Sequence, residues 1–318
     1  MIRHAFTMLE LVFTIAILAI VSSMSASVVA NVYDNYLGQK SLYNASIKSE
    51  LAVEQIANRL SYSIPSLVAA RDPDTYSDVK VLERITGGDH THTVLEWIAY
   101  DNDSFSAQRK PGWSAFADLN SSSHGSINTP GSDLNATDTI IQNLSGGDIG
   151  LNAGASRPII IFAGTYYQNT SGIDYNITCL GLGSSPISNQ NSADACVIPI
   201  TSNNFANAHD RINFVVDKNI SHSEFYRLAW SAYAISAENK TGIAGTSNIS
   251  FDLFLYSNYQ PWDNEIYTDG DKNLLIRNVA VFKFLETGQT LRFKLCVREG
   301  IANLKSHVTS CKEKVIAR

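Results

Sequence analysis

Several side chains in this 318-residue chain have the type and spacing for chemistry. Glu10 is the only ionisable group between Phe6 and Val32, inside an apolar run. A carboxylate in hydrocarbon pairs with a cation or takes up a proton. Asp269, Asp271 and Asn273 place oxygen atoms at alternate positions, as calcium loops begin. Lys272 and the lack of a downstream Glu argue against an EF-hand, so the expectation is a polar turn running into a strand at Leu274, with calcium as the alternative. His90 and His92 flank Thr91 beside Gly87-Gly88. On one strand face they would suit a metal, and in an exposed hairpin loop they are polar groups, which is the expectation. Cys179, Cys196, Cys296 and Cys311 allow three pairings, and two disulfides are expected. Pairing of sequence neighbours closes loops of about 15 residues, worth about 3 kcal/mol each in the chain-entropy view. No C-x-x-C spacing favours zinc. Glu96, Asp101 and Asp103 read as scattered carboxylates, and Trp113, Trp230 and Trp262 as packing groups. There is no G-x-S-x-G, H-E-x-x-H, Walker A or G-x-G-x-x-G, so no enzyme is expected.

The composition limits what can position these groups. Hydrophobic residues make up 44% of the chain, enough for a sizeable core. Charged residues are only 17%, so much of the surface is polar but uncharged. A net charge of −6, a pI near 5.6 and the absence of a Lys/Arg run argue against nucleic-acid binding.

From Leu11 to Ala30 the chain offers about 20 uncharged residues, enough to cross about 30 Å of hydrocarbon as a helix. No second such run follows, which excludes a polytopic membrane protein. A secretory signal peptide would be cut near Ser25-Ala26-Ser27, but the run is long and carries Glu10 near its start. A plain anchor is not expected to place a carboxylate one turn into the membrane, at a cost of about 2.5–3.5 kcal/mol. A buried core helix is seldom apolar on every face over this length. Arg3 and His4 precede the run and Asp34 follows it, which puts residues after about 33 outside the cytoplasm.

The segment Ala5-Phe6-Thr7-Met8-Leu9-Glu10-Leu11 resembles the class III signal of type IV pilins and type II secretion pseudopilins. Those families have a short basic leader, a small residue before the cut, Phe after it, Glu at the fifth mature position and then an apolar helix. Ala5 stands where most members have Gly. The resemblance implies cleavage by a prepilin peptidase between Ala5 and Phe6, methylation of the Phe6 amine, and pairing of Glu10 with that amine on an adjacent subunit. It divides the chain into a leader at 1–5, a transmembrane and assembly helix at 6–32, an amphipathic continuation at 33–64, and a periplasmic β-rich head at 65–318. The last strands and the ending from Ser310 to Lys314 are loosely similar to J-type minor pseudopilins and W-type minor pilins. The implied function is a minor structural subunit of a type II secretion pseudopilus or a type IV pilus, near the tip because a bulky head hinders stacking above it. The implied partners are other pilin-like subunits, the peptidase and methylase, an inner-membrane assembly platform and lipid. The implied location is the bacterial inner membrane, with the head in the periplasm or on the cell surface. Pilins of this kind often staple their C-terminal region by a disulfide. One alternative is a type IV minor pilin for adhesion, motility or DNA uptake. Another is a membrane-anchored periplasmic binding or enzymatic domain.

The rest of the sequence implies an α+β fold, a long N-terminal helix on an antiparallel sheet. One helix is expected over about 6–62, with Val53, Ile56, Ala57, Leu60 and Ile64 on its buried stripe and with Gly38 permitting a bend. Strands are expected at Val79–Ile85 and Thr93–Tyr100 around Gly87-Gly88-Asp89, then at 158–162, 211–216, 224–235 and 249–256. Residues 101–156 read as loops. Leu274–Leu285 and Thr290–Val297 form a hairpin around Glu286-Thr287-Gly288-Gln289. Residues 304–318 read as a short basic tail, which a bridge from Cys296 to Cys311 would pin across the outer face of the sheet.

Overall fold

A computed structural model describes residues 7–85, 89–105, 110–152, 156–162, 177–187, 197–202, 210–215, 223–242, 249–288, 290–300 and 307–317, with only the backbone at 65–67. The chain is α+β, as its periodicities imply. Helix α1 runs unbroken through Gly38 from Met8 to Ser61, 54 residues and about 81 Å. It stops just before Ile64-Pro65, where the residue preceding proline is pushed out of the helical region. Residues 62–64, expected to continue the helix, instead hold its cap at Tyr62 and the start of strand β1 (Ser63–Arg71).

In chain order there follow β2 (Val79–Val81), β3 (Val94–Ala99), α2 (Asn102–Phe105), β4 (Asp118–Ser123), β5 (Ser126–Asn128), α3 (Leu134–Leu144), β6 (Ile159–Phe162), β7 (Ile198–Ser202), β8 (Arg211–Phe214), β9 (Tyr226–Ala229), β10 (Ala232–Thr241), β11 (Ser250–Tyr259), β12 (Asp271–Thr287), β13 (Thr290–Gly300) and β14 (His307–Ala317). One sheet of eight strands has the order β14-β13-β12-β11-β10-β3-β1-β2, and one of six has the order β4-β5-β8-β7-β6-β9. Every pairing within them is antiparallel.

Helix α1 lays Ala52, Val53, Ile56, Ala57 and Leu60 on one face of the large sheet, against Leu291, Phe293, Leu295 and Val297 of β13 among others. The opposite face packs on the six-stranded sheet: Val94 and Ile98 meet Ile159, Ile161 and Ala229. The far side of that second sheet is covered by α3 through Leu134 and Ile141, with Trp113. The head therefore stacks helix, sheet, sheet and helix.

Five expectations are corrected. The strand at Val79–Ile85 is only β2, followed by a 3₁₀ turn at Leu82–Arg84. It does not pair with β3, because β1 lies between them; Gly87 and Gly88 fall outside the described residues. The loop-rich stretch 101–156 contains α3, whose N-cap Asp133 accepts the Ala136 N–H. The single strand at 224–235 is two, β9 in one sheet and β10 in the other. Their junction is fixed by Gln260 Nε2 donating to the Trp230 carbonyl at 3.0 Å and Asn258 N–H donating to Ser231 Oγ at 2.8 Å. The basic tail is a full edge strand, β14, in register with β13 from Thr290↔Ala317 to Gly300↔His307.

The hairpin β12–β13 forms as the alternation implies. Gly288 adopts φ +60°, the left-handed backbone that a two-residue hairpin turn requires; Gln289 lies outside the described residues.

Candidate functional site

Among the described residues, the N-terminal reach of α1 is a long stretch without a structural explanation inside its own fold. Residues 7–36 are all exposed, and the first buried helix residue is Ala45. This helix is long and apolar enough to cross a membrane. Two of its hydroxyls return to the backbone: Thr14 Oγ1 donates to the Leu11 carbonyl and Ser27 Oγ to the Met24 carbonyl, both at 2.8 Å. No hydroxyl hydrogen at these positions is left for lipid to solvate.

Glu10 sits in the first turn. Thr7 Oγ1 accepts the Glu10 N–H at 3.4 Å, and Glu10 Oε2 accepts from the Thr7 N–H at 3.2 Å and the Thr7 hydroxyl at 3.1 Å. This is a capping box, and the Thr7-x-x-Glu10 spacing that makes it was present in the sequence. It parks a carboxylate at the positive end of the helix dipole. Ala5 and Phe6, the expected cleavage pair, lie outside the described residues.

The exposed apolar face does not stop at membrane depth. Val32, Tyr36, Tyr43, Ile47 and Leu51 share one side of α1 by helical spacing, and Leu51 is still 60% exposed. They lie opposite Ala45, Ser49, Ala52, Ile56 and Leu60, which face the head. From Met8 to Leu51 this face is about 65 Å long, twice the roughly 30 Å of a hydrocarbon core.

The second half of α1 is tied to the edge strand. Ser49 Oγ lies 3.3 Å from Ser310 Oγ, Lys312 Nζ is 2.9 Å from Glu50, and Lys314 Nζ is 2.6 Å from Glu54. Lys48 pairs with Glu299, and Ser41 Oγ donates to the Gly300 carbonyl at 3.1 Å. Exposed pairs of this kind contribute little singly, and here they set the angle at which the rod leaves the head.

Cys296 and Cys311 form a disulfide between directly opposed residues of β13 and β14. It joins an edge strand to its neighbour in the plane of the sheet and does not cross the outer face as expected. Replacing Cys311 by Ser is expected to lower stability by about 2–4 kcal/mol, with faster amide exchange along β14 and less change in β12, measured by hydrogen–deuterium exchange mass spectrometry. Cys179, in a 3₁₀ turn at Ile177–Leu180, is also disulfide-bonded, and Cys196 lies outside the described residues.

The other expected groups have structural work. Asp269 accepts the Ile266 N–H at 2.8 Å, and Asp271 accepts from Asn258 Nδ2 at 3.2 Å. Asn273 pairs in register with Leu255 inside β12. Among the described residues no group of three or more His, Cys, Asp and Glu side chains is arranged to hold a metal. His92 is buried, with Nδ1 3.0 Å from Asp89 and Nε2 3.0 Å from Asp78; His90 stays exposed. Lys80 and the Thr91 and His92 backbones also donate to Asp89, which holds its carboxyl well below the usual range against a burial effect that raises it.

The carboxylates thought to lack partners are not alone. Glu96 is fully buried and accepts from Arg71 Nε at 2.8 Å and from Tyr259 Oη at 2.9 Å. Asp101, 4% exposed, accepts the Ser104 N–H at 3.1 Å and also bonds the Ser104 hydroxyl. Burial pushes its carboxyl up to about 6 from 3.8, although the Ser104 bonds act the other way. Between those values the folded head holds a proton that the unfolded chain has released. The stabilisation is therefore full below about pH 4 and is lost as pH rises through about 6, by at most about 3 kcal/mol. Asp101→Asn is expected to match the parent's denaturation midpoint at pH 4 and exceed it at pH 7.

Comparison with protein-family models, curated proteins and solved structures finds no match to this chain.

Proposed function

We propose that this chain is a prepilin-like minor subunit, cut between Ala5 and Phe6, methylated at Phe6 and assembled into a type II secretion pseudopilus or a type IV pilus. It has no catalytic task. The mature helix stays in the bacterial inner membrane until assembly, with the head on the periplasmic side, and it then packs among the helices of other pilin-like subunits. The peptidase and methylase, an inner-membrane platform and lipid are its other partners. A large head favours a place near the filament tip.

The observation that carries this reading is the exposed apolar face from Met8 to Leu51. A simple anchor needs about 20 residues in lipid and gains nothing from keeping Tyr43, Ile47 and Leu51 bare outside it. A helix that leaves the bilayer to pack beside other helices uses the whole length. Glu10 supports the reading too, because a carboxylate in that apolar run is tolerable only with a partner.

The test is intact mass and N-terminal sequencing of the chain from native membranes. The expected product begins at methylated Phe6. A chain beginning at Met1 in cells with active peptidase, or near Ser27, would discard the proposal in favour of an anchored or secreted domain. Co-purification with either machine's subunits then assigns the filament.

A further inference from the structure

At ten places in this chain an Asn is followed two residues later by Ser or Thr, with no Pro between. Such triplets accept N-linked glycans on exported proteins. A chain rich in Asn, Ser and Thr makes them by chance, so the triplet alone decides nothing. Four of the ten also have Asp two residues before the Asn: Asn120, Asn135, Asn176 and Asn219. With 30 acidic residues in 318, composition alone would supply about one. Asp-x-Asn-x-Ser/Thr is the extended acceptor of bacterial oligosaccharyl transfer. The carboxylate meets a cation of the transferase and the hydroxyl hydrogen-bonds to it.

Asn176 and Asn219 lie outside the described residues. The fold separates the other two. Asn135 is in the first turn of α3, and the Thr137 side chain that a transferase must reach is 0% exposed. Asn120 is exposed on β4, an edge strand of the six-stranded sheet. Strand β4 pairs with β5 only at its ends, Asp118↔Asn128 and Ser123↔Ser126, and between them the register shifts, so Leu119–Ser122 bulge from the ladder. Asp118 organises the bulge: its carboxylate accepts the Asn120 N–H at 3.0 Å and the Ser121 hydroxyl at 2.6 Å. Ser122 Oγ donates to the Asp118 carbonyl and accepts the Asn128 N–H at 3.0 Å. These bonds are local and lie at an edge, so the segment can open without disturbing the core. Among the described residues the Asn120 side-chain amide has no hydrogen-bond partner, so the fold gives it no task.

We propose that Asn120 is an N-glycosylation site, modified by an oligosaccharyltransferase that draws on a polyprenyl-diphosphate-linked oligosaccharide. Asn120 Nδ2 attacks the anomeric carbon of the first sugar. An N–C bond forms there, and the bond from that carbon to a diphosphate oxygen breaks. Polyprenyl diphosphate leaves with the electron pair, and one amide proton passes to solvent. The large sheet separates β4's sheet from α1, so a glycan on β4 leaves the helix free to pack. It also covers an open sheet edge, where a bulky polar group blocks pairing with another strand. The inference rests on the head lying outside the cytoplasm, and on nothing else in the assembly reading.

The test is mass spectrometry of the full chain and its glycopeptides from native membranes, beside protease digestion of the head in spheroplasts. The expected result is a glycan on Asn120 and none on Asn135. Asn120→Gln and Asp118→Asn each lose that mass increment, and Asn135→Gln keeps it. Asp118→Asn retains an oxygen to accept the Asn120 N–H, so its loss reports the charge and not the turn. A head that protease digests, with Asn120 unmodified, would overturn the inference alone. A head protected from protease would overturn it together with the periplasmic placement. A glycan that survives Asp118→Asn would overturn the acceptor form on which the inference is built.

Discussion

If the chain assembles as proposed, Glu10→Ala is expected to leave it membrane-bound with the head's unfolding midpoint unchanged and to remove it from filaments. The head is indifferent because residues 7–36 touch nothing in it. In the proposed filament the change is costly, because losing one partner of a desolvated ion pair costs about 3–5 kcal/mol, a fall of a hundredfold or more in association. The structure adds a complication that the control must resolve. Glu10 also caps its own helix through Thr7, and loss of a cap alone costs about 0.5–2 kcal/mol. Glu10→Gln keeps an oxygen to accept the Thr7 N–H and removes the charge. If charge pairing drives incorporation, Gln fails like Ala. If Gln incorporates normally while Ala does not, Glu10 is only a cap. The measurement is the fraction of chain recovered in sheared filaments, or cross-linked to other pilin-like subunits, against the fraction left in membranes.

The elements legible in the sequence were those whose pattern depends on one neighbour. Helix α1 shows its 3.6-residue stripe and has no proline, and β13 alternates Leu291, Phe293, Leu295 and Val297 with polar residues. The features missed depend on where the chain goes in space. Alternation runs unbroken through Trp230-Ser231 although the chain changes sheets there, because period two reports a buried face and not which strand lies alongside. Strand β14 looked like a basic tail because Lys312 and Lys314 make sense only against Glu50 and Glu54, some 260 residues away. Helix α3 buries only Leu134, Thr137, Asp138 and Ile141, too thin a stripe to stand out in a Ser- and Asn-rich stretch. At the candidate site, Glu10 was legible from its isolation among apolar residues.

The same logic applies to the pair with the largest expected effect on stability. Arg71 and Glu96 lie 25 residues apart, each a lone charge in an apolar strand, and both are 0% exposed. Arg71 uses all three of its guanidinium nitrogens: Nε on Glu96, one terminal nitrogen on the Gly183 carbonyl at 3.0 Å and the Tyr76 carbonyl, the other on the Leu182 carbonyl at 2.8 Å. The Leu182 and Gly183 carbonyls belong to a segment packed so closely that a Cβ at Gly181 would come within 2.0 Å of the Pro261 carbonyl oxygen. Arg71 thus joins β1 and β3 to the turn that carries Cys179. Arg71→Met strands the Glu96 carboxylate in the core, with an expected loss of about 3–5 kcal/mol at neutral pH, read from denaturant midpoints by tryptophan fluorescence. Burial raises the Glu96 carboxyl above 4.5, and Arg71 is the main influence opposing that rise. Removing Arg71 lifts it further. The folded variant then binds a proton that the unfolded chain lacks, so its deficit is largest at neutral pH and shrinks as pH falls toward about 4.5. Glu96→Gln placed on Arg71→Met removes the charge altogether, recovers part of the loss at pH 7 and flattens the pH dependence. A deficit identical at pH 5 and pH 8 would mean that the lost carbonyl contacts, and not the stranded carboxylate, are what Arg71 secures.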